Sequence, residues 1–145
     1  MRVLGIDLGD KRIGVALSDP MGWTAQGLDV ITGGGGSKGD IRRIREIAAK
    51  YEVEKVVVGL PLNMDGSSWP RAEKARDFAS RLARAIGLPV ELWDERLTTV
   101  EAERLLSEAD MKRDKRRQVV DKMAAVLILQ NYLDAAGRGS IKKAD

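Results

Sequence analysis

Apolar positions fall first into short continuous blocks and only later into helical spacing. Arg2 to Leu8 reads as a strand that is apolar at nearly every position, with one carboxylate, Asp7, at its C-terminal end. Gly9-Asp10 supplies a tight turn and Arg12 to Ser18 follows at once, so the first two strands form a hairpin. Thr24 to Ile31 reads as a third strand, and Gly33 to Gly36 as a flexible tether. Asp40 can cap the helix that follows, which carries Ile41, Ile44, Ile47 and Ala48 at helical spacing and turns Arg42, Arg43, Arg45 and Lys50 to solvent. The Val run in Lys55 to Leu60 suits a central parallel strand. Asn63 to Ser68 is a polar loop, Arg71 to Ile86 an amphipathic helix stopped by Gly87, and Leu88 to Trp93 a fifth strand. Thr98-Thr99-Val100-Glu101 fits a capping box for a helix through Glu108, and the last helix spans Gln118 to Ala136. With no internal repeat and no long linker, a single domain over residues 1–145 is expected. The periodicity gives an α/β fold class.

Composition removes whole classes of chemistry. The chain has no Cys and no His, which excludes thiol and imidazole nucleophiles, a Ser-His-Asp triad, zinc cages and a disulfide frame. A net charge of only +3 means that a polyanionic partner requires local clustering of cations. No signal peptide and no apolar stretch near ~20 residues is found, so a soluble, cytoplasmic protein without membrane contact is expected.

Asp7 is then the residue to explain. Burying an ionised carboxylate costs several kcal/mol unless a cation or hydrogen bonds answer it. With only oxygen donors available, the cation it points to is a hard one, Mg²⁺ or Mn²⁺. Two later places offer acidic partners. At the end of the fifth strand, alternation sends Asp94 with Leu92 to one face and Glu95 with Trp93 to the other, so only one of the two shares a site easily. Asp121, in the first turns of the last helix, precedes Ala124, Ala125, Ile128 and Tyr132 on the packed face. Each acid also has a plainer explanation. Asp7 could bond to Lys11, Arg12 or a neighbouring backbone, Asp94 or Glu95 could pair with Arg96, and Asp121 could simply complement the positive end of the helix dipole. Taken together, acids at strand ends and on a buried helix face favour a metal site.

Cations crowd near these acids. Lys112, Arg113, Lys115, Arg116 and Arg117 lie in the loop before Asp121, opposed only by Asp114, and phosphate explains that density better than solubility does. Lys11 and Arg12, just past the first turn, are equally consistent with phosphate contact and with an exposed hairpin pair. Trp69 is the one aromatic placed to touch a base, while Trp93 reads as core, so backbone recognition is expected over base recognition.

The segments Gly5-Ile6-Asp7-Leu8-Gly9, Lys11-Arg12-Ile13-Gly14-Val15-Ala16 with Ser18-Asp19, Val57-Val58-Gly59-Leu60-Pro61, Met64-Asp65-Gly66-Ser67, Asp94-Glu95-Arg96-Leu97-Thr98-Thr99 and Asp121-Lys122-Met123-Ala124-Ala125 resemble, in order and over nearly the whole chain, the YqgF family of RuvC-like Holliday junction resolvases and pre-16S rRNA nucleases. The resemblance implies a ribonuclease H-like fold with a mixed five-stranded sheet, three strands antiparallel and two parallel, flanked by helices. It also implies a nuclease whose Mg²⁺ or Mn²⁺ ions are held by acids on strand one, near strand five and on the last helix. Asp7 and Asp121 carry over directly, and for the middle acid Glu95 is favoured with Asp94 as the alternative. Precursor rRNA is the favoured substrate, with ribosomal particles as partners of a monomer or weak homodimer. Branched DNA is the alternative, and nothing in the residue pattern separates the two. Two rival classes remain: an actin-like ATPase or sugar kinase, for which the chain is too short to supply two clamping domains, and a non-catalytic nucleic-acid-binding module.

Overall fold

The computed structural model describes residues 1–9, 11–32, 36–61, 70–95 and 113–144, with side chains of the last helix described over 122–137. The expected polar loop 63–68, Trp69, Arg96, the helix 98–108 and Lys112 lie outside these residues. The elements are β1 (Val3–Leu8), β2 (Arg12–Ser18), β3 (Ala25–Thr32), α1 (Lys38–Lys50), β4 (Lys55–Leu60), α2 (Pro70–Ile86), β5 (Val90–Asp94) and α3 (Arg113–Ala144). They build one sheet in the order β3-β2-β1-β4-β5. The β1–β2 and β2–β3 pairs are antiparallel, and β1–β4 and β4–β5 are parallel. This is the mixed five-stranded sheet that the motif order implies.

Burial follows from position in the sheet. All six residues of β1 are buried, as are the four central ones of β4, because both strands are covered on both faces and their apolar runs need not alternate. On one face Leu4, Ile6, Leu8, Val56 and Val58 meet Ile41, Ile44 and Ile47 of α1 and Phe78 and Leu82 of α2. On the other, Val3, Ala16 and Val57 meet Ala124, Ala125, Ile128, Leu129 and Leu133 of α3. Full burial of a residue such as Leu129 or Ile128 stabilises the fold by about 1.5–3 kcal/mol, so α3 is held chiefly by this stripe.

The α3 side packs most tightly at Gly5, where the sheet presents no side chain. A β-carbon on Gly5 would lie 2.7 Å from Leu129 Cβ and 3.2 Å from the Ala125 carbonyl oxygen. The helix backbone therefore comes closer to β1 than any other residue at position 5 would allow.

Three local expectations need correction. Ser37, not Asp40, caps α1: its hydroxyl accepts from the Asp40 amide, and the Asp40 carboxylate accepts from the Gly36 and Ser37 amides, closing a capping box. In the sequence the glycine run hides the capping signal of the serine that follows it. Gly36, read as part of a tether, is instead buried, and its carbonyl accepts from Arg81 of α2 at 2.7 Å. Finally, α3 begins at Arg113 rather than Gln118 and continues to Ala144, beyond the expected end at Ala136. Lys and Arg are good helix formers, and the cost of about 1 kcal/mol for a glycine is too small to stop a long helix at Gly137. Arg113, Lys115, Arg116 and Arg117 thus belong to the helix and not to a loop.

Candidate metal centre and nucleic-acid interface

Asp7 stands at the carboxyl end of β1, next to last in the strand and only 3% exposed. Its neighbours Leu8 and Ile6 pack toward α1 and α2, so alternation turns Asp7 to the α3 side with Val3 and Gly5. Across the sheet it is in register with Gly14 of β2. On the other flank the β1–β4 ladder ends with Ile6 opposite Val58, which brings Gly59 alongside Asp7 one step on. The buried carboxylate is thus flanked on both neighbouring strands by glycines, so neither strand puts a side chain directly beside it.

Glu95 takes the room that Gly59 leaves. Gly59 pairs with Trp93 and Leu60 with Asp94, and the chain then leaves β5 at Glu95. A β-carbon built on Gly59 would meet Glu95 Oε1 at 2.9 Å and Ile128 Cδ1 at 2.6 Å, so Glu95 and α3 share one face. Leu92 packs against the α1/α2 core and Trp93 against the α3 core, and alternation leaves Asp94 on the face away from Gly59 and Ile128. Asp7 and Glu95 are therefore brought to one side of the sheet and Asp94 to the other.

Asp121 lies in the third turn of α3, one turn before Ala125, whose carbonyl stands over Gly5. Its side chain is outside the described residues. Because the helix starts at Arg113, Asp121 is too far along it for the helix dipole to explain its presence, since that effect fades within the first turn. Among the described side chains no cluster of three acidic groups forms, but Asp7 and Glu95 bring carboxylate oxygens to one face of the sheet beside Gly59, a donor type that suits a hard divalent cation.

The rear of the site is braced by aromatic and charged contacts. Trp93 donates from Nε1 to Asn131 Oδ1 at 3.1 Å and meets Tyr132 edge-on with ring centroids 5.5 Å apart. This is the packing role expected of Trp93. Lys55 bonds Glu91 at 2.6 Å and sits 4.9 Å from the centre of the Tyr132 ring. Partial burial pulls its amine pKa down, but Glu91 and Tyr132 outweigh that and leave it above the ordinary lysine value.

Of the expected phosphate ligands, Lys11 is exposed at the hairpin tip and Arg12 is half-buried as the first residue of β2. The side chains of Arg113, Lys115, Arg116 and Arg117 lie outside the described residues. Sequence reasoning passed over the two glycines that flank Asp7. The available signal was a glycine interrupting each of two apolar strands, at Gly14 and Gly59.

A parallel β1–β4–β5 unit joined to a β1–β2–β3 meander, with acids at the strand ends under a crossing helix, is the ribonuclease H-like architecture of junction resolvases. Thermus thermophilus RuvC in complex with a Holliday junction substrate matches with a TM-score of 0.62 at 18% identity, over 96% of this chain and 97% of that one. The fowlpox virus Holliday junction resolvase matches with a TM-score of 0.53 at 14% identity, over 93% and 99%. The chain belongs to the RuvX family, described as Holliday junction resolvase, whose family model matches residues 1–135. A protein of Pelotomaculum thermopropionicum named "Putative pre-16S rRNA nuclease" is 67% identical over 138 residues, covering 95% of this chain and 90% of its own length. One of the same name from Listeria monocytogenes is 56% identical over 135 residues, covering 92% and 98%. Among the described residues no helix is long and apolar enough to cross a membrane.

Proposed function

We propose that this protein is a metal-dependent nuclease that hydrolyses phosphodiester bonds, acting through one ribonuclease H-like domain in maturation of the 5′ end of precursor 16S rRNA. The observation that carries the reading is the placement of buried Asp7 and of Glu95 on one face of the sheet, with Glu95 seated in the space that Gly59 leaves. The rRNA substrate is supported by the names of relatives that match nearly end to end.

In this reading Asp7, Glu95 and Asp121 hold Mg²⁺ or Mn²⁺. Two such ions supply activation of a water and stabilisation of the leaving oxygen during in-line attack. The chain's own contribution is to fix the carboxylates on rigid strand ends and a packed helix, and to keep the flanking strands free of side chains. Lys11, Arg12 and the basic run Lys112, Arg113, Lys115, Arg116 and Arg117 neutralise substrate phosphates. Because those contacts are to phosphate and not to bases, they position the substrate without reading its sequence. The protein works in the cytoplasm on ribosomal precursor particles, as a monomer or weak homodimer.

Branched DNA is the second reading, favoured by the family's description as Holliday junction resolvase. One experiment separates the possibilities: purified protein with Mg²⁺ or Mn²⁺ is offered precursor rRNA, generic single-stranded RNA and a four-way DNA junction side by side. Selective trimming of the precursor is expected. Selective cutting of the junction would replace the rRNA reading, and binding without metal-dependent cleavage of any of the three would leave a non-catalytic binding module.

A further inference from the structure

Lys122 follows Asp121 on α3 and points to β3. Its side chain lies along β3, with Cβ, Cγ and Cδ within 3.4 to 3.8 Å of the point where a β-carbon on Gly27 would stand. The missing side chain at Gly27 thus gives the lysine stem a track. Such packing fixes an aliphatic stem and leaves the ammonium at the surface. Lys122 is exposed, and no carboxylate pairs with it among the described residues.

The sheet register locates this lysine relative to the acids. Gly27 pairs with Ala16 and Ala16 with Gly5, so the three share a row across the sheet and face α3. Asp7 is two residues further along β1 on the same face. Two interstrand steps and two residues of rise separate Gly27 from Asp7 by roughly 12 Å. That is too far for Lys122 to act on the atoms held at Asp7 and Glu95, but suitable for the next stretch of a bound backbone.

We propose that Lys122, laid across Gly27, is a positioning residue that binds a phosphate flanking the scissile one and so directs the nucleic-acid strand across β3 toward Asp7. The inference rests on the nuclease reading for the identity of the ligand, a phosphodiester backbone, and adds the path the strand takes. A fixed cation costs less rotamer entropy to engage than a free one, and Lys122 differs from Arg43, Arg76 and Arg81 of α1 and α2, whose guanidinium groups are engaged by carboxylates.

Binding of a labelled single-stranded RNA and of a four-way DNA junction is measured without divalent metal over a range of salt, and cleavage is measured separately with Mg²⁺. For Lys122→Met the log-log salt slope is expected to fall by about 0.7 on single strands or about 0.9 on duplex arms, the value of one phosphate contact. KM should rise several-fold with kcat unchanged, and Lys122→Arg should restore the slope. Gly27→Val suits a strand and so folds, but its methyl groups fill the track, and it should reproduce part of the loss while Lys122 is still present. Replacing flanking phosphates of the substrate with uncharged methylphosphonates should weaken the wild type and leave Lys122→Met indifferent at one position. An unchanged slope and KM in folded Lys122→Met, on whichever substrate the wild type binds, overturns the inference. Absence of wild-type cleavage with the slope still reduced overturns the nuclease reading and leaves the phosphate contact standing.

Discussion

Glu95 Oε1 lies 2.9 Å from the point where a β-carbon on Gly59 would stand, so the acid that follows β5 occupies room that only a glycine on β4 leaves open. Gly59→Ala should therefore act twice. The new methyl also meets Ile128 Cδ1 at 2.6 Å, and overpacking of this kind costs about 1–3 kcal/mol. A lowered melting temperature is expected, together with a loss of metal-dependent cleavage larger than the unfolded fraction explains. Retention of full cleavage in a destabilised Gly59→Ala protein would remove Glu95 from the site.

Asp7→Asn keeps the shape of a buried side chain while removing its charge. Cleavage in Mg²⁺ or Mn²⁺ should disappear, with thermal unfolding nearly unchanged, because the side chain keeps its shape in its buried place. Calorimetric titration with Mn²⁺ should lose its heat in parallel. Wild-type cleavage rates in excess Mn²⁺ would count decisively against Asp7 as a ligand.

Glu95→Gln and Asp94→Asn should part sharply. Glu95 shares the α3 face with Asp7, whereas Asp94 is turned to the opposite one. Glu95→Gln is expected to lower kcat by at least a hundredfold and Asp94→Asn by no more than a few-fold. Equal, mild effects from both would move the third ligand to another segment.

Asp19 gives a pH-dependent prediction remote from the site. Its carboxylate accepts from the Thr24, Trp23 and Met21 amides at 2.8, 2.7 and 3.2 Å. The Thr24 amide is the largest cause of an acid pKa below the ordinary aspartate value, and Trp23 and Met21 add to it. A depressed folded-state pKa means that the contribution to stability is complete above the unfolded value, near 3.8, and is lost as pH falls through the folded one. In an NMR titration the Trp23 and Thr24 amide signals should hold constant down to about pH 4 and shift together below it. Asp19→Asn should abolish that shared step, and independent titration of the two amides would contradict the turn geometry.

The strands and the buried stripe of α3 were legible in the sequence because continuous apolar runs and helical spacing are local signals. The division of Asp94 from Glu95 was legible too, since alternation along a strand separates them whatever the fold. Which of the two faces Asp7 was not legible: it depends on the face α3 covers, and that is decided by Gly5, Ala16 and Gly59 meeting Ala125, Leu129 and Ile128. The start of α3 was not legible because the charge density of Arg113 to Arg117 suggests a phosphate-binding loop, although the Lys and Arg residues there favour helix. Ser37 was missed because a glycine run reads as flexibility even where its last member is bonded on both its amide and its carbonyl.

Gln130 reaches from α3 to the beginning of β3, accepting from the Ala25 amide at 2.9 Å and donating to the Trp23 carbonyl at 3.0 Å. β3 is an outer strand of the sheet, and unpaired backbone groups along such a strand invite a foreign strand to extend it. A side-chain amide that mimics a neighbouring peptide unit closes the first rung of that ladder. The helix that covers one face of the sheet thereby also guards the start of its outer edge, leaving fewer free backbone groups there for another strand to pair with.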